Sequence, residues 1–387
     1  MTPIPYSCQN IDEADIAAVM AVLRSEYLTQ GPAVADFEDS FAQRHQVAHA
    51  VAVANATAAL HIGCLALGIG PGKRVWTSPI SFLASANCAL YCGAEVDFVD
   101  IDPGTRNMSV AALADKLQRA AVLGKLPDLL IPVDFAGLPC DLRQMRELAD
   151  RYGFRILEDA SHATGASYLG RPTGSAYAHA TVFSFHAVKV VTTAEGGMVT
   201  TPDPALAKRL RLLRSHGMTR DSGDLQEPAE GPWVYEQQWL GFNYRLTDVQ
   251  AALGRSQLTR LSALHQARIG LANRYDELLA ELPLRLPPRR ADRISAWHLY
   301  AIEIDAQRCL RSRAEVFAAL REQGIGVNVH YIPIHTQPYY RALGFSRGDF
   351  PAAEQYYAGA ISIPLFPAMT AQQQRRVVDA LRMALAH

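Results

Sequence analysis

Phe154-Arg155-Ile156-Leu157-Glu158-Asp159 is a short, mostly apolar run that closes on two carboxylates, and a run of that length reads as a buried strand with a polar end. The same unit recurs on both sides of it. Upstream, Ala48 to Ala54 is apolar and ends at Asn55-Ala56-Thr57, after which Ala58 to Leu67 has helical spacing and stops at Gly68. Arg74 to Ser78, Glu95 to Asp100 and Leu129 to Val133 read as further strands, with a helix through Ala84 to Tyr91 between the first two. Downstream, Thr181 to Phe185 and Met198 to Thr201 continue the series. Strands alternating with helices predict an α/β fold whose mostly parallel sheet is sandwiched by helices.

Towards the N-terminus, Ile16, Val19, Met20 and Leu23 recur at helical spacing behind Asp12, a capping residue type, and a second helix is expected from Val34 to Arg44. Beyond Leu246 an amphipathic region runs to Leu282 and gives way to the Pro-rich Leu282-Pro283-Leu284-Arg285-Leu286-Pro287-Pro288. The shift in composition predicts a join, with a large domain over 1–250 and a smaller C-terminal α/β domain over 251–387. In the latter, strands are expected near His298 to Ile304 and Gly326 to His330, and helices near Arg313 to Gln323 and Ala371 to Leu385. The polar stretch Arg220 to Gly231 reads as a mobile loop.

Composition narrows the function. The chain has 387 residues, 49% hydrophobic and 19% charged, which suits a folded enzyme-sized protein. Lys plus Arg (37) nearly balances Asp plus Glu (38), so no global field favours nucleic acid, and any anionic ligand must be held locally. The six cysteines (Cys8, Cys64, Cys88, Cys92, Cys140 and Cys309) lack zinc-like spacing and are expected to be buried thiols, with no metal site. Met1-Thr2-Pro3-Ile4-Pro5 has no charged region before an apolar run, and no apolar stretch is of membrane-spanning length. The expectation is a soluble, cytoplasmic protein without membrane or nucleic-acid partners.

Ligands of parallel α/β sheets gather at the carboxyl ends of the strands, where helix N-termini offer free N–H groups. Asn55-Ala56-Thr57 stands at such a place and can hold a phosphate, or simply cap the helix. Asp159 directly follows a strand, where a carboxylate can pair with a protonated ring nitrogen or make an ordinary cap or ion pair. Lys189, in Ser184-Phe185-His186-Ala187-Val188-Lys189, sits among small and apolar residues, where an amine loses basicity and can attack carbonyl carbon. No G-x-G-x-x-G follows the first strand, which argues against a nicotinamide dehydrogenase.

These pieces, in this order, resemble the sugar aminotransferases, pyridoxal 5′-phosphate (PLP) enzymes with the aspartate-aminotransferase fold. The resemblance rests on Leu157-Glu158-Asp159-Ala160-Ser161-His162-Ala163, Phe183 to Lys189 and Thr192-Thr193-Ala194-Glu195-Gly196-Gly197. It extends from Leu28-Thr29-Gln30-Gly31 through Gly241-Phe242-Asn243-Tyr244-Arg245 to Val329-His330-Tyr331-Ile332-Pro333. It implies that Lys189 is the Schiff-base lysine and proton carrier, that Asp159 partners the ring nitrogen and that Phe82 stacks on the ring. It places His162 beside the ring hydroxyl, where many relatives have glutamine. Ala56, Thr57 and Ser184 would hold the phosphate with Asn243 from a second subunit, making the protein a homodimer with shared sites. Arg245 becomes a candidate for a substrate carboxylate or phosphate, or for a structural ion pair; Tyr6, Gln30, His330 and Tyr331 are candidates for the sugar-nucleotide cleft. His186, His216 and His330 could support the residues that touch the ligand, or be ordinary packed histidines.

Within that family, Thr77 to Phe82, Phe185 to Lys189, Leu213 to Met218 and Val329 to Ile334 look most like the UDP-4-amino-4,6-dideoxy-N-acetyl-β-L-altrosamine transaminases of pseudaminic acid synthesis. The match implies L-glutamate as donor and C4 of a UDP-linked 4-keto-6-deoxy-N-acetylhexosamine as acceptor. Alternatives are a GDP- or dTDP-linked 4-ketosugar, a PLP-dependent sugar dehydratase, in which a histidine would stand at Lys189, and a non-catalytic binding protein.

Overall fold

A computed structural model describes residues 2–386. Its central sheet has seven strands: β1 (His49–Val53), β2 (Arg74–Thr77), β3 (Glu95–Phe98), β4 (Leu129–Ile131), β5 (Arg155–Asp159), β6 (Ala180–Ser184) and β7 (Gly197–Thr201). Their spatial order is β1, β7, β6, β5, β4, β2, β3. Parallel pairing links β3, β2, β4, β5 and β6, while β7 runs antiparallel to both its neighbours. The amino end of β7 therefore meets the carboxyl ends of β1 and β6, with Gly197 opposite Val53 and Ser184. All five residues of β6 and of β7 are buried, which explains their near-continuous apolar and threonine character.

Local chemistry sets the helix starts. Asp12 caps the helix Glu13–Leu23 through a reciprocal bond with Asp15, as the sequence predicts. The helix Ala56–Ala66 starts two residues before the expected Ala58, because Asn55 accepts from the Ala58 N–H at 2.8 Å and so ends the non-helical segment. On one face of the sheet Phe37, Phe41, Phe183 and Phe185, all fully buried, form an edge-to-face cluster. That cluster anchors β6 immediately before the Lys189 loop.

The C-terminal part is built on β8 (Leu284–Arg285), β9 (Tyr300–Ile304) and β10 (Ala360–Ile363), antiparallel in the order β8, β9, β10. Helices Arg313–Glu322 and Ala371–Ala386 contribute Val316, Leu320, Val377 and Leu381 to its core. Three expectations change here. The amphipathic region after Leu246 is two helices, Asp248–Thr259 and Leu261–Leu279, separated at Arg260, whose guanidinium is drawn to Asn10, Asp12 and Asp15. Gly326 to His330 is not a strand: the chain touches its neighbours only through bridges at Ile325 and Asn328, because Gly326 lies against the Ile4–Tyr6 backbone and the chain then turns towards the cavity described below. Of the cysteines, all six are free but Cys8 is only half-buried.

The division expected at residue 250 falls inside Asp248–Thr259. Leu261 at the start of the next helix packs with the large-domain core, whereas Ala272, Tyr275 and Leu279 join the C-terminal core, which also takes in Ile4. We propose that the two domains meet along Leu261–Leu279 and that the extreme N-terminus belongs to the smaller one. None of the helices is long and apolar enough to cross a membrane among the described residues.

Candidate active site

A cavity of about 950 Å³ opens at the carboxyl ends of β1, β2, β4, β5 and β6. Its wall includes ten of the residues singled out from the sequence: Tyr6, Ala56, Thr57, Phe82, Asp159, His162, Ser184, Lys189, His330 and Tyr331. Three others lie outside it. Gln30 is exposed with φ of 58°, Asn243 is exposed in a bridge to Ser215, and Arg245 donates to the Ser215 hydroxyl at 3.2 Å. No carboxylate partners Arg245 among the described residues, so the structural ion pair considered for it is not formed. His186 is about half exposed on the cavity wall, 3.9 Å from the Glu195 carboxylate, and His216 is exposed away from the cavity, so neither is a packed histidine.

One end of the cavity is an anion cradle. An α-helix leaves its first four N–H groups without partners inside the helix. In Ala56–Ala66 the Asn55 side chain takes Ala58 N–H and the Asn55 carbonyl takes Ala59 N–H, so those of Ala56 and Thr57 remain for a ligand. Ser184 faces them across Gly197. A Cβ on Gly197 would stand 2.7 Å from the Asn55 carbonyl and 2.8 Å from the Ala56 nitrogen, so only glycine lets the β7 backbone approach the cradle. Gly197→Ala should therefore lower stability by about 1–3 kcal/mol, as overpacking against backbone does, and weaken phosphate-dependent binding. Thermal melting with and without PLP checks both effects.

Elsewhere on the wall Asp159, 4% exposed, is held as an acceptor by the Ser85 hydroxyl at 2.6 Å and the Ser161 N–H at 3.1 Å. Ser81 and Ser85 share a 2.6 Å hydrogen bond that continues this chain. Lys189, on the wall of the same cavity, is carried by the loop that joins β6 to β7, closed by Phe185 N–H to Gly196 and Thr193 N–H to Phe185. Burial brings its amine down to about 8, although the Asp159 charge works in the opposite direction.

His162 has a defined proton. The Ala136 N–H points at its Nδ1 at 3.3 Å, and a backbone N–H can only donate, so Nδ1 is the acceptor. Burial, with Lys189 and His330 nearby, holds the imidazole neutral well below its ordinary range. The proton is then on Nε2, which donates to the Tyr331 hydroxyl at 3.1 Å. A glutamine at this position can make the same two bonds, accepting with its oxygen and donating with its nitrogen.

Sequence reasoning missed several wall residues, among them Ser81, Ser85, Tyr244 and His298. Ser81 precedes the helix that carries Ser85, and nothing in the sequence points either hydroxyl at Asp159.

This geometry fits PLP: an anion cradle, a buried carboxylate for the ring nitrogen and a weakly basic amine share one cavity, with Phe82, 61% exposed, on the wall. Residues 9–382 match the DegT/DnrJ/EryC1/StrS aminotransferase family. The chain belongs to that family. Enzymes of the DegT/DnrJ/EryC1/StrS family depend on PLP, and this chain is accordingly a PLP-dependent aminotransferase. It is similar to the spore coat polysaccharide biosynthesis protein SpsC of Bacillus subtilis (strain 168), 38% identical over 98% of this chain and 96% of the relative. It also resembles PseC of Helicobacter pylori, an aminotransferase involved in the biosynthesis of pseudaminic acid, with 30% identity over the full length of both chains and a TM-score of 0.90. Spr1654 of Streptococcus pneumoniae in its PMP form is 29% identical over 99% of each chain, also with a TM-score of 0.90.

Proposed function

We propose that this aminotransferase uses L-glutamate as donor and aminates C4 of a UDP-linked 4-keto-6-deoxy-N-acetylhexosamine, a product of the pseudaminic acid type. The observation that carries the reading is the convergence of Lys189, Asp159 and the Ala56–Thr57 cradle on one cavity. The end-to-end similarity to PseC supports the choice of sugar.

Bound in that cavity, PLP supplies a carbonyl carbon and an electron-withdrawing ring. The chain does the rest. Ala56 and Thr57 amides, with Ser184, hold the phosphate and fix the position of the ring. Asp159 keeps a proton on the ring nitrogen, since a buried carboxylate favours a facing cation. Phe82 and Tyr331, ring centroids 6.4 Å apart, flank the opening. Lys189 would hold the cofactor covalently at rest and, as a free amine, would move a proton between the substrate carbon and the cofactor carbon in each half-reaction. Tyr6, half-buried and near His330, stands with Tyr331 where a sugar would enter. Gln30 and Arg245 lie outside the wall of this chain, and we propose that they and Asn243 act across a homodimer, Asn243 on the partner's phosphate cradle.

An amine with a pKa near 8 is mostly protonated below that pH and mostly free above it. The rate at which apoprotein captures PLP covalently should therefore rise about tenfold per pH unit below 8 and level off above it; stopped-flow absorbance measures this. Substrate choice is tested by incubating the enzyme with glutamate and UDP-, GDP- and dTDP-linked 4-ketosugars, with products identified by mass and NMR. Activity confined to a GDP or dTDP sugar overturns the proposed acceptor.

A further inference from the structure

The cavity contains an imidazole that the chemistry proposed above does not use. His298 follows Trp297, whose φ of 52° puts a bulky non-glycine residue in the left-handed region. Such strain persists only where the surroundings over-determine it, and it concentrates at functional sites. Here the surroundings are explicit. Arg268, 1% exposed, donates from Nη1 to the carbonyls of Trp297 (3.1 Å), His298 (3.4 Å) and Leu365 (3.1 Å). Trp297 N–H is taken by the Ser295 hydroxyl at 3.1 Å, and Ala296 N–H by the Gly137 carbonyl at 2.9 Å.

What this framework delivers is one ring in one place. His298 is 3% exposed, its Nε2 lies 3.5 Å from Lys189 Nζ and its ring centroid is 4.4 Å from that of His162. Its Nδ1 is buried and has no hydrogen-bond partner among the described residues. A buried polar atom left unsatisfied is costly, and an apolar side chain would fill the space without that cost. Packing therefore does not account for the histidine.

We propose that His298 is a positioning residue for Lys189: its Nε2 accepts a hydrogen bond from the lysine amine, so that the amine's lone pair faces the cavity whenever the lysine is not bonded to a carbonyl carbon. The proposal rests on the reading of Lys189 as the catalytic amine. The charged and titratable groups around the pair favour it. Burial first, then Lys189, His162, Arg268 and His330, hold the ring neutral well below the ordinary histidine range, while Asp159 acts on Lys189. A neutral ring with its proton on Nδ1 keeps Nε2 free to accept.

The test compares His298→Leu, His298→Asn and His298→Gln holoenzymes. Misplacing a reacting amine costs on the order of 100-fold, so the leucine variant should lose about that much in kcat and in the release of deuterium from α-deuterated glutamate, with KM changed less than about threefold. Glutamine places an amide oxygen near the Nε2 position and should recover to within about tenfold of wild type, whereas the shorter asparagine should stay slow. The leucine variant should melt no lower than wild type, and borohydride should still fix the cofactor on the Lys189 peptide. The proposal is overturned if glutamine is as slow as asparagine and leucine, or if leucine retains kcat within about twofold. A wild-type enzyme giving no adduct on Lys189 would instead remove the reading of Lys189. Should the leucine variant not fold, the glutamine–asparagine contrast decides alone.

Discussion

Lys189→Ala transaminates at a rate lower by on the order of 10⁴-fold, the upper range for loss of a positioned acid–base group, while its melting curve stays that of a folded protein. The fold is preserved because the loop is held by main-chain bonds, Phe185 N–H to Gly196 and Thr193 N–H to Phe185, not by the amine. The amine lies 3.5 Å from His298 Nε2, and removing a buried, weakly basic group relieves a desolvation cost. PLP should still bind through the Ala56–Thr57 cradle, Ser184 and Asp159, but borohydride should no longer fix it to the chain. Steady-state rates with glutamate, alongside equilibrium dialysis of PLP, check the two halves. Turnover within about tenfold of wild type would remove Lys189 from the chemistry.

Asp159→Asn is expected to lower kcat by about 10²–10³-fold, the range for loss of a preorganised electrostatic partner. The substitution keeps size and lets the Ser161 N–H bond survive, but the 2.6 Å contact from Ser85 loses its charged acceptor. The sign of the pH effect follows from Lys189. The Asp159 charge raises the lysine's pKa against burial, so neutralising it moves that pKa further below about 8. Covalent capture of PLP by the variant apoprotein should then level off at lower pH than in wild type, even as turnover falls. A titration shifted to higher pH, or unchanged turnover, contradicts this role.

Strand ends carried most of the legible information. Apolar runs that stop at Asn55, Ser78 and Asp159 identify both the mostly parallel sheet and the edge at which the cavity opens, because those two facts have one cause in the βα geometry. The lowered basicity of Lys189 is legible in its small and apolar neighbours. What escaped were groups whose roles are set by long-range contact. Ser85 meets Asp159 across 74 positions, and His298 meets Lys189 across 109. Gly326 to His330 has strand-like composition, yet close approach to Ile4–Tyr6 and the pull of the cavity wall override it. β10 and the helix Pro351–Gly359 were not foreseen, since the segment leading to them mixes Gly, Pro and aromatic residues without a clear period.

The central claim is that one buried amine in the loop between β6 and β7 holds the cofactor. Reducing the PLP-saturated wild-type protein with borohydride, digesting it and locating the added mass by peptide sequencing tests that claim most directly. A pyridoxyl phosphate adduct on Lys189 alone is the expected result; an adduct on another lysine, or a protein that stays colourless and unmodified, would contradict it.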